Sequence, residues 1–289
     1  MIWLVFALGA AVFLAVKNVW TRSYVRSVGQ RAVVLSGFIF TGLCALLYLA
    51  VAGMAEVSQA FYWAVLSASL IDVLAVTLLT RAIFVADLSD AYPLVALTPV
   101  FTIGTSYFIL GETPSLLGIS GIVVIVVGSY LLRVERSQES VFEPFRLLFR
   151  DAGARYMIVT ALLFSLMGPL FKTAMESSSI ALTLATGQTL STFWLCLLYA
   201  ARGLLRPTIR EIRENVWTLA GIGAANFVQA AGTFVAFQLT FVAYAASVKR
   251  LGILFTVLFG YIAFKESGAL RGALAGAVML VGVVLISFG

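Results

Sequence analysis

The chain has 289 residues, 62% hydrophobic and 11% charged, with a formal net charge of +6 and a mean hydropathy of +1.05, whereas a soluble protein carries about 25% charged residues. That composition reads as an integral membrane protein, and a chain without histidine loses imidazole metal ligands, histidine bases and histidine proton relays together. Cys44 and Cys196 lie inside apolar runs with no CxxC neighbour and read as packing residues rather than as metal ligands or a disulfide.

A membrane-spanning helix needs about 20 apolar residues. Ten runs meet this: 2–21, 32–54, 60–82, 90–111, 115–133, 155–174, 180–201, 216–239, 243–264 and 269–288. The first opens without Lys or Arg and ends in Lys17, Asn18 and Thr21 instead of a small-residue cleavage site, so it reads as a retained helix and not a signal peptide. Lys17 is near enough to the end of its span to snorkel to the headgroups along its four-carbon stem. Asp72, near the middle of span 3, is too short for that. An ionised group at mid-bilayer costs roughly 2.5 to 3.5 kcal/mol on insertion scales, so Asp72 should face protein or water. It is either a polar clasp worth about 1 to 2 kcal/mol or a cavity group that accepts a substrate amine or a coupling proton.

Asp87 and Asp90 are placed to cap the start of span 4, which contains Pro99 as a kink and Tyr92 as a cavity-lining candidate. Gly111-Glu112-Thr113-Pro114 is a tight joint with a proline where a first helical turn tolerates it, and Glu112 there reads as structural. The long polar stretch that follows, residues 134–154 between two five-span units, alternates Phe142, Phe145, Leu148 and Phe149 with charges. It is expected to be a short amphipathic helix on the membrane surface.

In the second unit, Gly168-Pro169 precedes Lys172 in span 6, and span 8 holds Asn226 with Gln229 one turn on, roughly on the same face. Span 9 contains the doublet Lys249-Arg250. Adjacent helical residues point about 100° apart, so one is expected to line a cavity while the other pairs or reaches the interface. A guanidinium suits bidentate capture of a carboxylate or phosphate. Trp3, Trp63 and Trp217 read as interface anchors, Tyr244 and Tyr261 as further cavity candidates. Gly118 with Gly121, and Gly268-Gly272-Gly276, allow close helix contact or equally a homodimer.

The two units are copies. Trp63 returns as Trp217, Asp72 as Asn226, Phe101 as Phe255, Tyr107 as Tyr261, Glu112 as Glu266, Gly118 as Gly272 and Gly128 as Gly282, all 154 residues on; upstream, Lys17 matches Lys172 at 155. The counterparts of Lys249 and Arg250 are the apolar Val95 and Ala96, and loss of symmetry at a duplicated position marks where recognition is added. Arg22, Arg26, Arg31, Arg81, the linker arginines, Arg202, Arg206, Arg210, Arg213, Lys265 and Arg271 all fall in odd-numbered loops, which predicts those loops to be cytoplasmic and both termini outside. The positive charge is thus a topology signal and needs no nucleic-acid partner. An odd number of spans per copy makes the repeat inverted, the architecture of alternating access.

The phrase Leu110-Gly-Glu-Thr-Pro-Ser-Leu-Leu-Gly-Ile-Ser-Gly121 followed by Gly128 resembles the end-of-repeat signature of EamA-type members of the drug/metabolite transporter superfamily. The second copy, Phe264-Lys-Glu-Ser-Gly-Ala-Leu-Arg-Gly272, is similar but has Phe-Lys-Glu where Leu-Gly-Glu is usual. The resemblance covers essentially the whole chain and implies a ten-span fold of two inverted five-helix repeats that moves small metabolites across a membrane, with no substrate specified. A GxxxxGK[ST] loop is absent, so ATP hydrolysis is not expected. The excess of Lys17, Lys172, Lys249 and Arg250 over buried acids favours an amino acid or organic anion as substrate. The other readings are a proton-coupled exporter of amines or drugs and a lipid flippase-like subunit. An enzyme would need a nucleophile with a base or paired carboxylates in the spans, and neither pattern occurs; no cofactor is expected, and the membrane is expected to be a bacterial inner membrane.

Overall fold

The structure, a computed structural model, describes residues 1–24, 28–85, 92–133, 151–264 and 269–289, with regular structure among them entirely helical. Helices α1 (Ile2–Tyr24), α2 (Gln30–Ala52) and α3 (Gln59–Val85) lead to a 3-10 helix (Tyr92–Leu97), α4 (Thr98–Leu110) and α5 (Leu116–Arg133). The second half comprises α6 (Ala152–Glu176), α7 (Ile180–Ala201), α8 (Leu205–Glu214), α9 (Val216–Leu239), α10 (Val242–Lys249), α11 (Leu251–Phe264) and α12 (Ala269–Phe288). Among the described residues, seven segments are long and apolar enough to cross a membrane: Ile2–Arg22, Gln30–Ala52, Gln59–Ala82, Ala152–Glu176, Ile180–Ala201, Val216–Leu239 and Val242–Gly260. The other three runs expected to span coincide with shorter apolar helices, Leu94–Leu110, Leu116–Leu132 and Leu274–Phe288.

The packing repeats itself along with the sequence. α3 lies along α6 and its counterpart α9 along α1; α4 packs on α6 and its counterpart α11 on α1; the 3-10 helix touches α6 and α10 touches α1. Two further pairs, α2 with α7 and α5 with α12, join equivalent helices directly. The α5–α12 crossing depends on glycine, because a Cβ on Gly121 would lie 2.6 Å from the Gly282 carbonyl oxygen and one on Gly282 would lie 2.7 Å from that of Gly121. Gly121, one of the small residues considered for a dimer face, is therefore used inside the chain.

α3 and its counterpart α9 run in opposite directions. At one end the Ser58 N–H donates to the Ser177 carbonyl at 3.0 Å, and Tyr48, Gly53, Ser179 and Gln238 share a recess; the start of α3 and the end of α9 are both here. At the other end the Gly29 N–H donates to the Glu211 carboxylate, and Arg81, Arg202 and Thr208 line one cavity. This end holds the finish of α3, α8 and the start of α9. Trp63 and Trp217, 51% and 88% exposed, consequently sit at opposite ends of the bundle. Asp87, Asp90, the linker helix, Lys265, Glu266 and the side chains of Tyr92 and Tyr261 fall outside the described residues.

Two elements differ from the sequence reading. Span 9 forms one membrane-length segment, Val242–Gly260, that tightens by a single turn where α10 ends at Lys249, Arg250 keeps right-handed helical backbone angles and α11 begins at Leu251. The stretch between spans 7 and 8, read as a cationic loop, contains the helix α8, which buries Thr208 and Ile212 and leaves Arg206, Arg210 and Arg213 outside.

Candidate functional site

The site is assembled where α1 meets α9 and the α10–α11 turn. α1 approaches the turn closely because residue 252 is glycine: a Cβ there would stand 2.8 Å from the Ala11 carbonyl oxygen. One turn farther, Asn18 Nδ2 donates to Thr256 Oγ1 at 3.3 Å. This contact turns Lys17 inward, and its Nζ donates to Asn226 Oδ1 at 2.9 Å. Asn226 Nδ2 in turn donates to Thr41 Oγ1 at 2.9 Å, and the Thr41 hydroxyl donates to the Gly223 carbonyl at 3.1 Å. Gly223 makes this last bond reachable, since a Cβ there would stand 2.3 Å from Phe40 Cβ and force α2 away from α9. The Lys17 amine is directed to an amide inside the protein and does not snorkel.

Lys249 and Arg250 were expected on one helical span, and they sit at its single tightened turn. The Arg250 N–H donates to the Ser247 carbonyl at 2.9 Å, and the Ile253 N–H to that of Arg250 at 2.9 Å, so the helix tightens by one turn between α10 and α11. The half-buried Lys249 ammonium lies in the field of two like charges, Arg250 and Lys17. The ion pairs among the described residues are Lys172–Glu112 and Arg210–Glu214, so no described carboxylate meets Lys249 or Lys17. A desolvated cation among cations is unfavourable until an anion joins it. The structure thus brings Lys17, Asn226, Lys249 and the Arg250 backbone turn into one neighbourhood.

A similar tightening of the helix occurs in the first repeat without the charges. There the 3-10 helix Tyr92–Leu97 hands over to α4 at Thr98, and adding the repeat offset of 154 to Leu97 gives Leu251, the first residue of α11. The backbone feature is shared, and the cations are present in one copy.

Other sequence candidates are placed elsewhere. Lys172, expected to join the binding cations, donates from Nζ to Glu112 Oε1 at 2.7 Å and to the Thr240 carbonyl at 2.9 Å, while Glu112 Oε2 accepts from the Val242 N–H at 2.9 Å. Its charge is already matched, because the Glu112 side chain reaches across to α6 with one oxygen and to the start of α10 with the other. Tyr244 accepts a hydrogen bond from the Ser115 N–H at 3.2 Å at this same end and braces the start of α5. Asp72 accepts from Ser191 Oγ at 3.3 Å, tying α3 to α7. Gln229 Nε2 donates to Thr233 Oγ1 at 3.1 Å along its own helix. Among the described residues no hydrogen bond joins Asp72 or Gln229 to the Lys17–Asn226 chain. Sequence reasoning missed Thr41, Ser191 and Thr256; a hydroxyl in an apolar span ordinarily bonds its own helix, as Thr256 also does with the Gly252 carbonyl at 2.6 Å, so nothing in the sequence singled them out. Among the described residues, no cluster of three His, Cys, Asp or Glu is placed to hold a metal ion.

Comparison with known proteins agrees with the motif at Leu110–Gly121: residues 1–134 match the EamA-like transporter family. One solved structure, described only as "Crystal structure of protein", has the same fold, with a TM-score of 0.77 over 98% of this chain and 96% of its own at 13% sequence identity. No curated protein matches the chain.

Proposed function

We propose that this chain, whose first 134 residues belong to the EamA-like transporter family, is a secondary transporter that accepts a small anionic or zwitterionic metabolite, an amino acid or organic anion, at Lys249, Arg250, Lys17 and Asn226. The observation that carries the reading is the half-buried Lys249 ammonium, placed beside two other cations and met by no described carboxylate. Binding energy is available there because a carboxylate or phosphate would relieve repulsion that the empty site bears. The amide of Asn226, already held by Thr41, positions Lys17 instead of neutralising it, which leaves that ammonium's charge for a ligand.

The fold supports alternating access. Repeat-related helices that pack in matching pairs, with α3 and its counterpart α9 running in opposite directions, are features of inverted-repeat carriers that build a site near the midplane. On this reading the chain is two inverted five-helix repeats, 1–133 and 155–289, joined by 134–154, and ten segments cross the bilayer. The end that carries Arg31, Arg81, Arg202, Arg206, Arg210 and Arg213 faces the cytoplasm.

A proton-coupled exporter of amines requires acids where this site has cations, and Asp72 is engaged with Ser191 in a separate interface. The deciding experiment is counterflow in reconstituted vesicles against amino acids, organic acids, phosphorylated metabolites and amines, repeated with Lys249→Ala. Transport of a carboxylate- or phosphate-bearing solute that weakens in the variant is expected; a protein that carries only organic cations would overturn the assignment.

A further inference from the structure

A second cationic feature, which shares no residue with the Lys17–Lys249 neighbourhood, lies at the α8 end of the molecule. A cavity of about 550 Å3 opens between the start of α2, the last turns of α3 and α7, and α8. Arg31, Arg81 and Arg202 come to it from three different helices, and the Arg31 and Arg202 guanidiniums both act electrostatically on the Tyr199 hydroxyl between them. None of the three arginines pairs with a carboxylate among the described residues. The single acid on the lining, Glu211, accepts from the Gly29 N–H at the start of α2, an approach open because residue 29 carries no side chain. Three cations against one carboxylate leave the cleft short of negative charge.

The lining changes along the helices. Arg81 and Arg202 stand near the helix ends, while Val76, Leu195 and Leu198, one to two turns back along the same helices, supply an apolar floor interrupted by Thr77 and Thr80. Those helices also turn Leu70, Leu74, Phe193 and Leu197 outward, the surface that acyl chains would cover. A small hydrophilic solute has no use for the floor, whereas a molecule with a phosphate at one end and hydrocarbon at the other matches both parts.

We propose that this cleft is a binding site for an anionic phospholipid of the adjoining leaflet, with the headgroup phosphate held by Arg31, Arg81 and Arg202 and the glycerol and upper acyl chain on Val76 and Leu195. Guanidiniums take phosphate oxygens in pairs, so three of them lining one cavity select for phosphate more than a diffuse surface charge does. Glu211 competes with the phosphate for the same positive field. Because α8 roofs the cleft with Pro207 and Thr208, an occupant would fasten α8 to α2, α3 and α7.

The test is lipid titration of the purified full-length protein in neutral detergent, read by thermal unfolding and by native mass spectrometry, with phosphatidylglycerol, phosphatidylcholine, glycerol 3-phosphate and inorganic phosphate as separate arms. Phosphatidylglycerol is expected to bind and raise the unfolding midpoint, phosphatidylcholine to do so far less, and neither water-soluble phosphate to substitute for the lipid. Arg202→Gln and Arg31→Gln should each weaken phosphatidylglycerol binding about tenfold, Glu211→Gln should tighten it, and Arg213→Gln, outside the cleft on the exposed face of α8, should leave it within twofold. Equal losses in Arg213→Gln and Arg202→Gln would reduce the effect to general surface charge, and full binding by inorganic phosphate would make the cleft a solute site; either result overturns the proposal. If Arg202→Gln does not fold, Arg31→Gln and Arg81→Gln carry the same comparison.

Discussion

Lys17 and Lys172 occupy equivalent places in the two repeats, and the protein treats them in opposite ways. Lys172 is buried against Glu112, the Thr240 carbonyl and, through Glu112, the Val242 N–H, so the α4–α5 joint, α6 and the α9–α10 joint are fastened together at one end of the molecule. Lys17 meets a neutral amide, with Lys249 and Arg250 close by. The first lysine is a completed ion pair with its remaining hydrogen-bonding capacity used. The second keeps a charge that no described carboxylate cancels. One duplicated position is thus a fastening in one copy and an amide-bonded lysine without a described carboxylate partner in the other, which teaches that equivalence in sequence guarantees backbone placement and not chemistry.

The largest expected effect breaks the fastened side of this comparison. Removing one partner of a buried ion pair strands the other charge and costs about 3 to 5 kcal/mol. Lys172→Ala, followed by thermal unfolding in detergent, should lower stability by that order, and Lys172→Met combined with Glu112→Gln should recover most of it, since no charge is left buried. A Lys172→Ala protein that melts like the parent would mean the ion pair contributes nothing.

The next effect belongs to the open side. A hydrogen bond to a charged group contributes about 1.5 to 3 kcal/mol, so Lys249→Ala should weaken binding of a carboxylate- or phosphate-bearing substrate about ten- to hundredfold, with little change in unfolding midpoint. Arg250→Ala should weaken it more than Lys17→Ala, because Asn226 already holds part of the Lys17 hydrogen-bonding capacity. Parent-like affinity in both, or a substrate that proves to be a simple organic cation, removes these residues from the binding site.

How much of this could be read from the sequence depends on the range of the signal. Seven of the expected spans and the repeated packing were legible because long apolar runs and a fixed offset are properties of the chain alone. The tightened turn at Arg250 was not, since span 9 is apolar on both sides of it and no proline marks it, whereas its first-repeat counterpart holds Pro93 and Pro99. The residues of the candidate site were nearly all named in advance, yet their partners were not. Glu112 and Lys172 lie 60 positions apart and Lys17 and Asn226 lie 209 apart, separations over which composition and spacing carry no information. α8 could have been recognised, because Leu205, Thr208, Ile209 and Ile212 recur at helical spacing among its arginines, but those arginines were read only as a topology signal.

Asn226→Asp sharpens the comparison by giving Lys17 what Lys172 already has. The Lys17 ammonium sits 2.9 Å from the atom that a carboxylate would replace, and a partly exposed ion pair is worth up to about 1 kcal/mol. Affinity for an anionic substrate should therefore fall by no more than about fivefold, less than in Lys249→Ala, while the unfolding midpoint stays level or rises. A gain in anion affinity would show that Lys17 is not part of the positive field.

The smallest expected effect is at Asp72, the repeat counterpart of Asn226 and the one mid-span carboxylate singled out from the sequence. Its bond from Ser191 Oγ is long at 3.3 Å, and the same hydroxyl reaches the Ser69 carbonyl at 3.4 Å, so the hydroxyl has an alternative acceptor whatever stands at 72. Interhelical polar contacts in membranes average about 0.6 kcal/mol and reach about 1.7 at most. Asparagine retains an acceptor oxygen of nearly the same reach, so Asp72→Asn should keep the α3–α7 clasp, move the unfolding midpoint by less than Asp72→Ala does, and leave both the rate of anion transport and its pH dependence as they were. If instead Asp72→Asn folds normally but abolishes transport or flattens its pH profile, the carboxylate is carrying a coupling proton or a substrate amine, and the functional difference between the repeats extends beyond the lysines to the Asp72 and Asn226 pair.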